Sequence, residues 1–186
     1  MKKIINKKII FFTNNASFIN SHRKELLDYL IKKKNIITIA TNLDEKIDIC
    51  PINLININKF YLLNIFKYLA ILNNGSYDLI HSIGIKTNLL LTITSIFHNK
   101  KIILHFTGLG NLFSQKKYLL LKYIVIIFFN LFKRNNISYI FQKNEDLNQI
   151  DIFRSFNKKN TYIIPGSGVD NKKFKTKNKF DHKNIR

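Results

Sequence analysis

The sequence predicts an α/β fold: a mostly parallel sheet of about seven strands with helices on both faces. Three observations carry this. Short runs rich in Ile and Phe alternate with longer stretches of helical periodicity from residue 8 to residue 165. The short runs are apolar on both faces, as in a sheet covered on two sides. At 186 residues and 46% hydrophobic, the chain suits one buried core plus a tail.

The elements follow in order. "KIIFFT" (8–13) is the first strand. Phe18, Ile19, Leu26, Leu27, Leu30 and Ile31 fall at helical spacing up to residue 33, with Ser17 placed to cap the helix. "NIITIAT" (35–41) is the second strand, and a polar loop with Asp44, Glu45 and Asp48 follows. "INLIN" (52–56) alternates as a strand, and residues 60–73 read as a helix stopped by Asn74-Gly75. "DLIHS" (78–82) precedes an apolar helix over 86–97. "KIILHF" (101–106) runs into "TGLGN", a helix covers 116–134, and "ISYIFQ" (137–142) is a strand. A helix over 145–156 and the strand "TYIIP" (161–165) close the set. The domain is thus expected at 1–164, with a turn and basic tail at 165–186. Ligands of such sheets sit beyond the carboxyl ends of the strands. The loops to inspect are 13–17, 42–50, 81–86, 105–115, 142–146 and 165–170.

Lys and Arg number 31 against 11 Asp and Glu, a formal net charge of +20. This favours an anionic partner, or reflects Ile, Lys and Asn filling every free surface position. Nucleic acid is not expected: no recognition module is visible, and the tail has few aromatics for stacking. Cys50 is the only cysteine, so an internal disulfide and a cysteine-based zinc site are both excluded. No metal or cofactor is expected. No secretory signal is evident, because only "IIFF" follows the first lysines. The longest apolar run, residues 118–132, contains Lys122 and Asn130 and is shorter than the ~20 residues of a spanning helix. A cytoplasmic protein is expected, either free or peripheral on the inner face of the membrane.

Several residues sit where chemistry is expected. "GLG" (108–110) is no dinucleotide fingerprint, since Phe113 stands at the third glycine position. Gly108 still permits close backbone approach or a positive φ. His105 and Thr107 flank Phe106 and point to one side. His81, followed by Ser82, ends another strand; the two histidines either converge on one crevice or are separate structural residues. His22 lies on the Phe18/Leu26 face of the first helix, and Arg23 points elsewhere, toward anionic groups. Asp44, Glu45 and Asp48 read as a solvated loop, and Glu145 and Asp146 complement a helix dipole. The helix over 116–134 is apolar nearly all round with Lys116, Lys117, Lys133 and Arg134 at its ends. It is either buried against the sheet or laid on an anionic membrane.

Four stretches together resemble the N-terminal domain of the family 4 glycosyltransferases, of GT-B fold and of the bacterial branch that builds surface polysaccharides. They are "FTNNASFINSHRKELLDYL" (12–30), "YDLIHSIGIKTNLL" (77–90), "ILHFTGLGNLF" (103–113), and "FQKNEDLNQ" followed by "IIPGSGVDNKKF" (163–174). The resemblance covers roughly residues 8–174. It implies a Rossmann-like domain that holds the acceptor, joined by the last turn to a donor domain that is missing here. It also implies transfer of a sugar from a nucleotide-sugar to a lipid-linked or saccharide acceptor in lipopolysaccharide, capsule or O-antigen synthesis, without an essential metal. Asn14, Asn15 and Ser17 would form the donor-phosphate loop, with Asn14-Asn15-Ala16 where relatives often have paired glycines. His22, Arg23, His81, Ser82 and Gly108 would line the acceptor crevice, and His105 and Thr107 would stand at the catalytic position. A separate donor-domain chain is the implied partner. A non-catalytic basic module that binds membrane or polysaccharide, and a truncated inactive fragment, are the alternatives.

Overall fold

The computed structural model describes residues 4–49, 51–57, 64–154 and 156–166. Cys50, the start of the helix expected at 60–73, and the tail after residue 166 lie outside them. Seven strands form one parallel sheet: β1 (Lys8–Asn15), β2 (Ile36–Asn42), β3 (Asn53–Asn56), β4 (Leu79–Ile83), β5 (Lys101–Phe106), β6 (Ile137–Phe141) and β7 (Thr161–Ile163). Their order is β3-β2-β1-β4-β5-β6-β7. The chain builds outward from β1 to β3, then returns to lay β4 on the other side of β1. This reversal between β1 and β4 is the switch point where an open parallel sheet leaves a crevice.

Strand alternation sorts the apolar residues into two cores. Ile9, Phe11, Ile37 and Ile39 pack with Ile19 of α1 (Ala16–His22) and with Leu27 and Leu30 of α2 (Lys24–Lys32). Ile10, Phe12, Ile80, Leu104 and Phe106 pack on the other face. There they meet α3 (Asn64–Asn74), α4 (Ile85–Thr94) and, after the short α5 (Asn111–Ser114), α6 (Leu119–Leu131). Phe106 stacks on Phe141 at 4.6 Å and meets Phe129 edge-on at 5.2 Å, which fixes β5, β6 and α6 together.

Three helices depart from the expected pattern. The helix expected through residue 33 is broken at Arg23, whose φ of −127° and ψ of −4° are not helical. The helix expected over 145–156 stops early, as α7 (Asn144–Ile150). The Asp151 carboxylate then accepts from the Phe156 N–H, turning the chain back toward β7. Within α6 only Val125, Ile126, Phe129 and Asn130 are buried. Asn130 donates to the carbonyls of Ile126 and Ile150, 2.7 Å each, tying α6 to α7. The outward residues Leu120, Ile124, Ile127 and Leu131 are exposed, so α6 is not buried all round. Among the described residues no helix is long and apolar enough to cross a membrane.

Candidate functional site

The ends of β1 and β4 and the residue after β5 enclose a cavity of about 170 Å³, lined by Asn14, Asn15, Phe18, Ile83, Gly84 and Thr107 among others. Gly84 has φ +98°, and an added Cβ would lie 3.5 Å from Asn14 Nδ2. Glycine here therefore answers both a backbone need and a close approach. The Gly84 N–H donates to the His105 carbonyl at 2.9 Å, and Asn88 Nδ2 donates to the same oxygen at 3.2 Å. The end of β5 is thus fastened to the start of α4. Gly108 has φ +121° with open space where a Cβ would sit, so conformation alone calls for glycine there. The Oδ1 of Asn14 is buried without a hydrogen-bond partner among the described residues. Such an acceptor is destabilising until a donor reaches it.

On the same face as Ile83, three side chains form a buried line. Because Arg23 breaks the helix between α1 and α2, its side chain turns inward. Its Nη2 lies 3.5 Å from His105 Nε2, and His105 Nδ1 lies 3.4 Å from His81 Nε2. The histidine rings stack at 5.6 Å, and Phe11 lies 5.0 Å from His81. Arg23 is 5% exposed, and His81 and His105 are 7% exposed each. A guanidinium only donates. His105 Nε2 must therefore offer its lone pair to Arg23, so that Nδ1 carries the proton and donates to His81 Nε2. Both imidazoles are neutral in this order. Burial, then the neighbouring His105 and Arg23, lower the pKa of His81 to about 3. Burial, then Arg23, lower that of His105 to about 4. Burial also lowers the pKa of Arg23.

The structure brings some of the expected residues together and separates others. Asn14, Asn15 and Thr107 share the cavity, and His81 and His105 converge. His105 itself stands behind Arg23, its acceptor nitrogen facing the guanidinium. His22 and Arg23 differ from their expected placement. His22 is exposed, stacked on Phe18 at 4.8 Å, with Nδ1 2.6 Å from Ser21 Oγ. Arg23 is the inward residue, with Phe18 beneath its guanidinium at 5.4 Å. Ser82 is corrected. It alternates with His81 and sits fully buried beside Phe12 and Leu104, on the opposite face of the sheet.

Ser17 does not cap α1. The Asp44 carboxylate does, accepting from the Ala16 N–H at 2.7 Å, the Ser17 N–H at 3.3 Å and the Ser17 hydroxyl at 3.0 Å. Asn20 donates to the Glu45 carboxylate and the Lys46 carbonyl, and accepts from the Asp48 N–H. The loop expected to be merely solvated is therefore docked along α1. Slight desolvation raises the Asp44 pKa, but the hydrogen bonds from Ala16 and Ser17 outweigh it and hold the carboxyl below its ordinary value. Sequence reasoning missed this contact because its partners lie 28 residues apart. The available signal was strand adjacency, since β1 and β2 end side by side at Asn15 and Asn42. Asp44→Ala is expected to lower stability by about 1 kcal/mol, the typical value of a helix cap. The difference from the native protein, read from urea midpoints, should vanish as the pH falls through the carboxylate range.

No protein-family model matches the chain, and no curated protein does. Solved structures do. Anabaena HepE in complex with UDP and glucose aligns with TM-score 0.58 and 14% identity, over 88% of this chain and 45% of its own. HepE in complex with UDP-glucose gives 0.59 and 14%, over 88% and 44%. A UDP-N-acetylglucosamine 2-epimerase gives 0.56 and 12%, over 85% and 48%. This chain spans less than half the length of each. At such identities the shared property is architecture: the chain has the Rossmann-like, seven-stranded parallel α/β fold of GT-B-like proteins.

Proposed function

We propose that the chain is the acceptor-side domain of a family 4-type glycosyltransferase. It would transfer a sugar from a nucleotide-sugar to a lipid-linked or saccharide acceptor in surface-polysaccharide synthesis, working with a second, donor-holding domain. The observation that carries this is the cavity at the β1/β4 switch point, with the unsatisfied Asn14 acceptor on one wall and Thr107 on another. A sugar hydroxyl is the donor that Asn14 Oδ1 lacks, and the Thr107 hydroxyl can accept from or donate to a second one. The UDP and UDP-glucose held by HepE, a protein of like fold, support a nucleotide-sugar donor.

In this reading Asn15, exposed at the end of β1, meets the donor phosphates with Asn14. Ser17 joins them only when Asp44 releases it. Gly108 lets the backbone after β5 approach the acceptor, and His22 with Phe18 offers it a stacked flank. His105 and His81 position Arg23, whose positive potential lies beside the site where the diphosphate departs.

The test is transfer itself. The chain is co-expressed with donor-domain partners and supplied with labelled UDP-sugars and lipid-linked saccharides. Incorporation should require both halves, and Thr107→Ala should lower kcat about tenfold, the worth of one hydrogen bond. No incorporation with any partner, together with no saccharide binding to the chain by saturation-transfer NMR, would sink the reading.

A further inference from the structure

The outward side of α6 has no place in the crevice. Leu120, Ile124, Ile127 and Leu131 follow the i, i+4, i+7, i+11 spacing of one helical stripe, opposite the buried Val125 and Phe129. Leu120 is 77% and Leu131 72% exposed, and Tyr123 flanks the stripe, also exposed. Ile96 and Phe97, both exposed, extend the apolar surface beside the end of α6. Arg134 joins the two segments by donating to the Ser95 carbonyl and to Asn99 Oδ1. A continuous apolar strip of this kind marks an interaction surface.

Charge identifies the occupant. Residues 79–144 contain no Asp or Glu, against nine Lys and Arg. All the carboxylates before this stretch lie at or before Asp78. Lys116 and Lys117 stand exposed at the start of the helix, and Lys133 stands exposed just past its end. Beside Lys133 a polar cleft of about 400 Å³ is lined by Asn99, Arg134, Asn135 and Asn136. An apolar strip bordered by cations at both ends, in a region without a single acid, complements a surface that is apolar within and anionic at its rim. That is an anionic phospholipid bilayer. The helix has 13 residues, about 20 Å long, too short to span. We infer that α6 lies in the plane of an anionic membrane, its stripe among the acyl chains and its lysines at the phosphates. This is independent of the sugar-transfer reading, because binding is measured without catalysis.

The test is sedimentation of the full chain with phosphatidylcholine vesicles, with and without phosphatidylglycerol, in dilute and concentrated salt. The chain should bind the anionic vesicles at least about tenfold more tightly, and concentrated salt should weaken binding. The triple variant Leu120→Gln, Ile124→Gln, Leu131→Gln should lose about a hundredfold of that affinity with an unchanged urea midpoint, since these side chains are exposed. Lys116→Gln with Lys117→Gln should lose about tenfold or more and keep the same fold. Unchanged binding by the triple variant, equal binding to both vesicles, or binding to neither would overturn the inference. So would a dimer in analytical ultracentrifugation that the triple variant dissolves, which would assign the stripe to a second copy of the chain.

Discussion

Acidification from pH 7 to pH 5 is expected to remove about 3–4 kcal/mol of folding stability, read as a falling urea midpoint. His81 and His105 titrate in the native state at about 3 and about 4, both below the ordinary 6.5. The unfolded chain therefore takes up protons that the folded chain refuses. Stability is complete above pH 6.5 and drains as the pH falls toward 4, at about 1.4 kcal/mol per pH unit for each histidine. Burial and the positive neighbours of His98 lower its pKa as well, so it adds in the same direction. His105→Gln keeps an oxygen to accept from Arg23 and an amide to donate to His81, but removes one titrating group. It should roughly halve the slope contributed by the pair. A midpoint that is flat between pH 7 and pH 5 would sink the picture of two neutral, buried imidazoles.

Arg23→Met is expected to abolish most sugar transfer, about a hundredfold in kcat/KM, while changing stability at pH 7 by only about 1 kcal/mol. The two numbers have different origins. A flexible apolar side chain can fill the space between Phe18 and His105, and replacing a buried charge by packed hydrocarbon is often neutral or stabilising. Loss of a preorganised positive group near developing negative charge typically lowers rates by 10²–10³. The histidines separate a positioning role from a packing one. Without the guanidinium, the native pKa values of His105 and His81 should rise, since Arg23 is one of the causes that hold each of them down. NMR titration of the imidazole protons reads this directly. Transfer unchanged in the variant would remove Arg23 from the reaction, and unchanged histidine titrations would separate it from His105.

Most of the sheet was legible in the sequence. Runs such as "KIIFFT" and "KIILHF" are apolar on both faces, and only a doubly covered sheet accommodates that. The parallel, helix-covered architecture followed from the alternation of elements. The site was legible in part. Convergence of His81 and His105 rests on two strands ending at the same edge, which the pattern predicts. The burial of Arg23 does not, because nothing in "NSHRKELL" shows that the helix breaks at that residue. Ser82 illustrates a rule that was available: successive strand residues face opposite ways, so His81 and Ser82 cannot line one crevice. The Asp44 cap was hidden because periodicity reports contacts along an element, whereas this bond crosses between two loops. For α6, a helix apolar all round leaves its buried side undefined. Only the positions of its neighbours in the fold decided which leucines face outward.

The strand order has a consequence for a chain emerging from the ribosome. β1 is the central template, and its first neighbour, β2, is complete by Asn42. Its second neighbour, β4, is complete only at Ile83. At translation rates of roughly 5–20 residues per second, one edge of the most hydrophobic strand pair waits about 2–8 s for its partner. From β4 onward every strand is added to the last one made, β5 to β4, β6 to β5 and β7 to β6. The second half of the sheet therefore grows without ever having to open the first, and the interval before β4 arrives is when the nascent chain has most need of a chaperone.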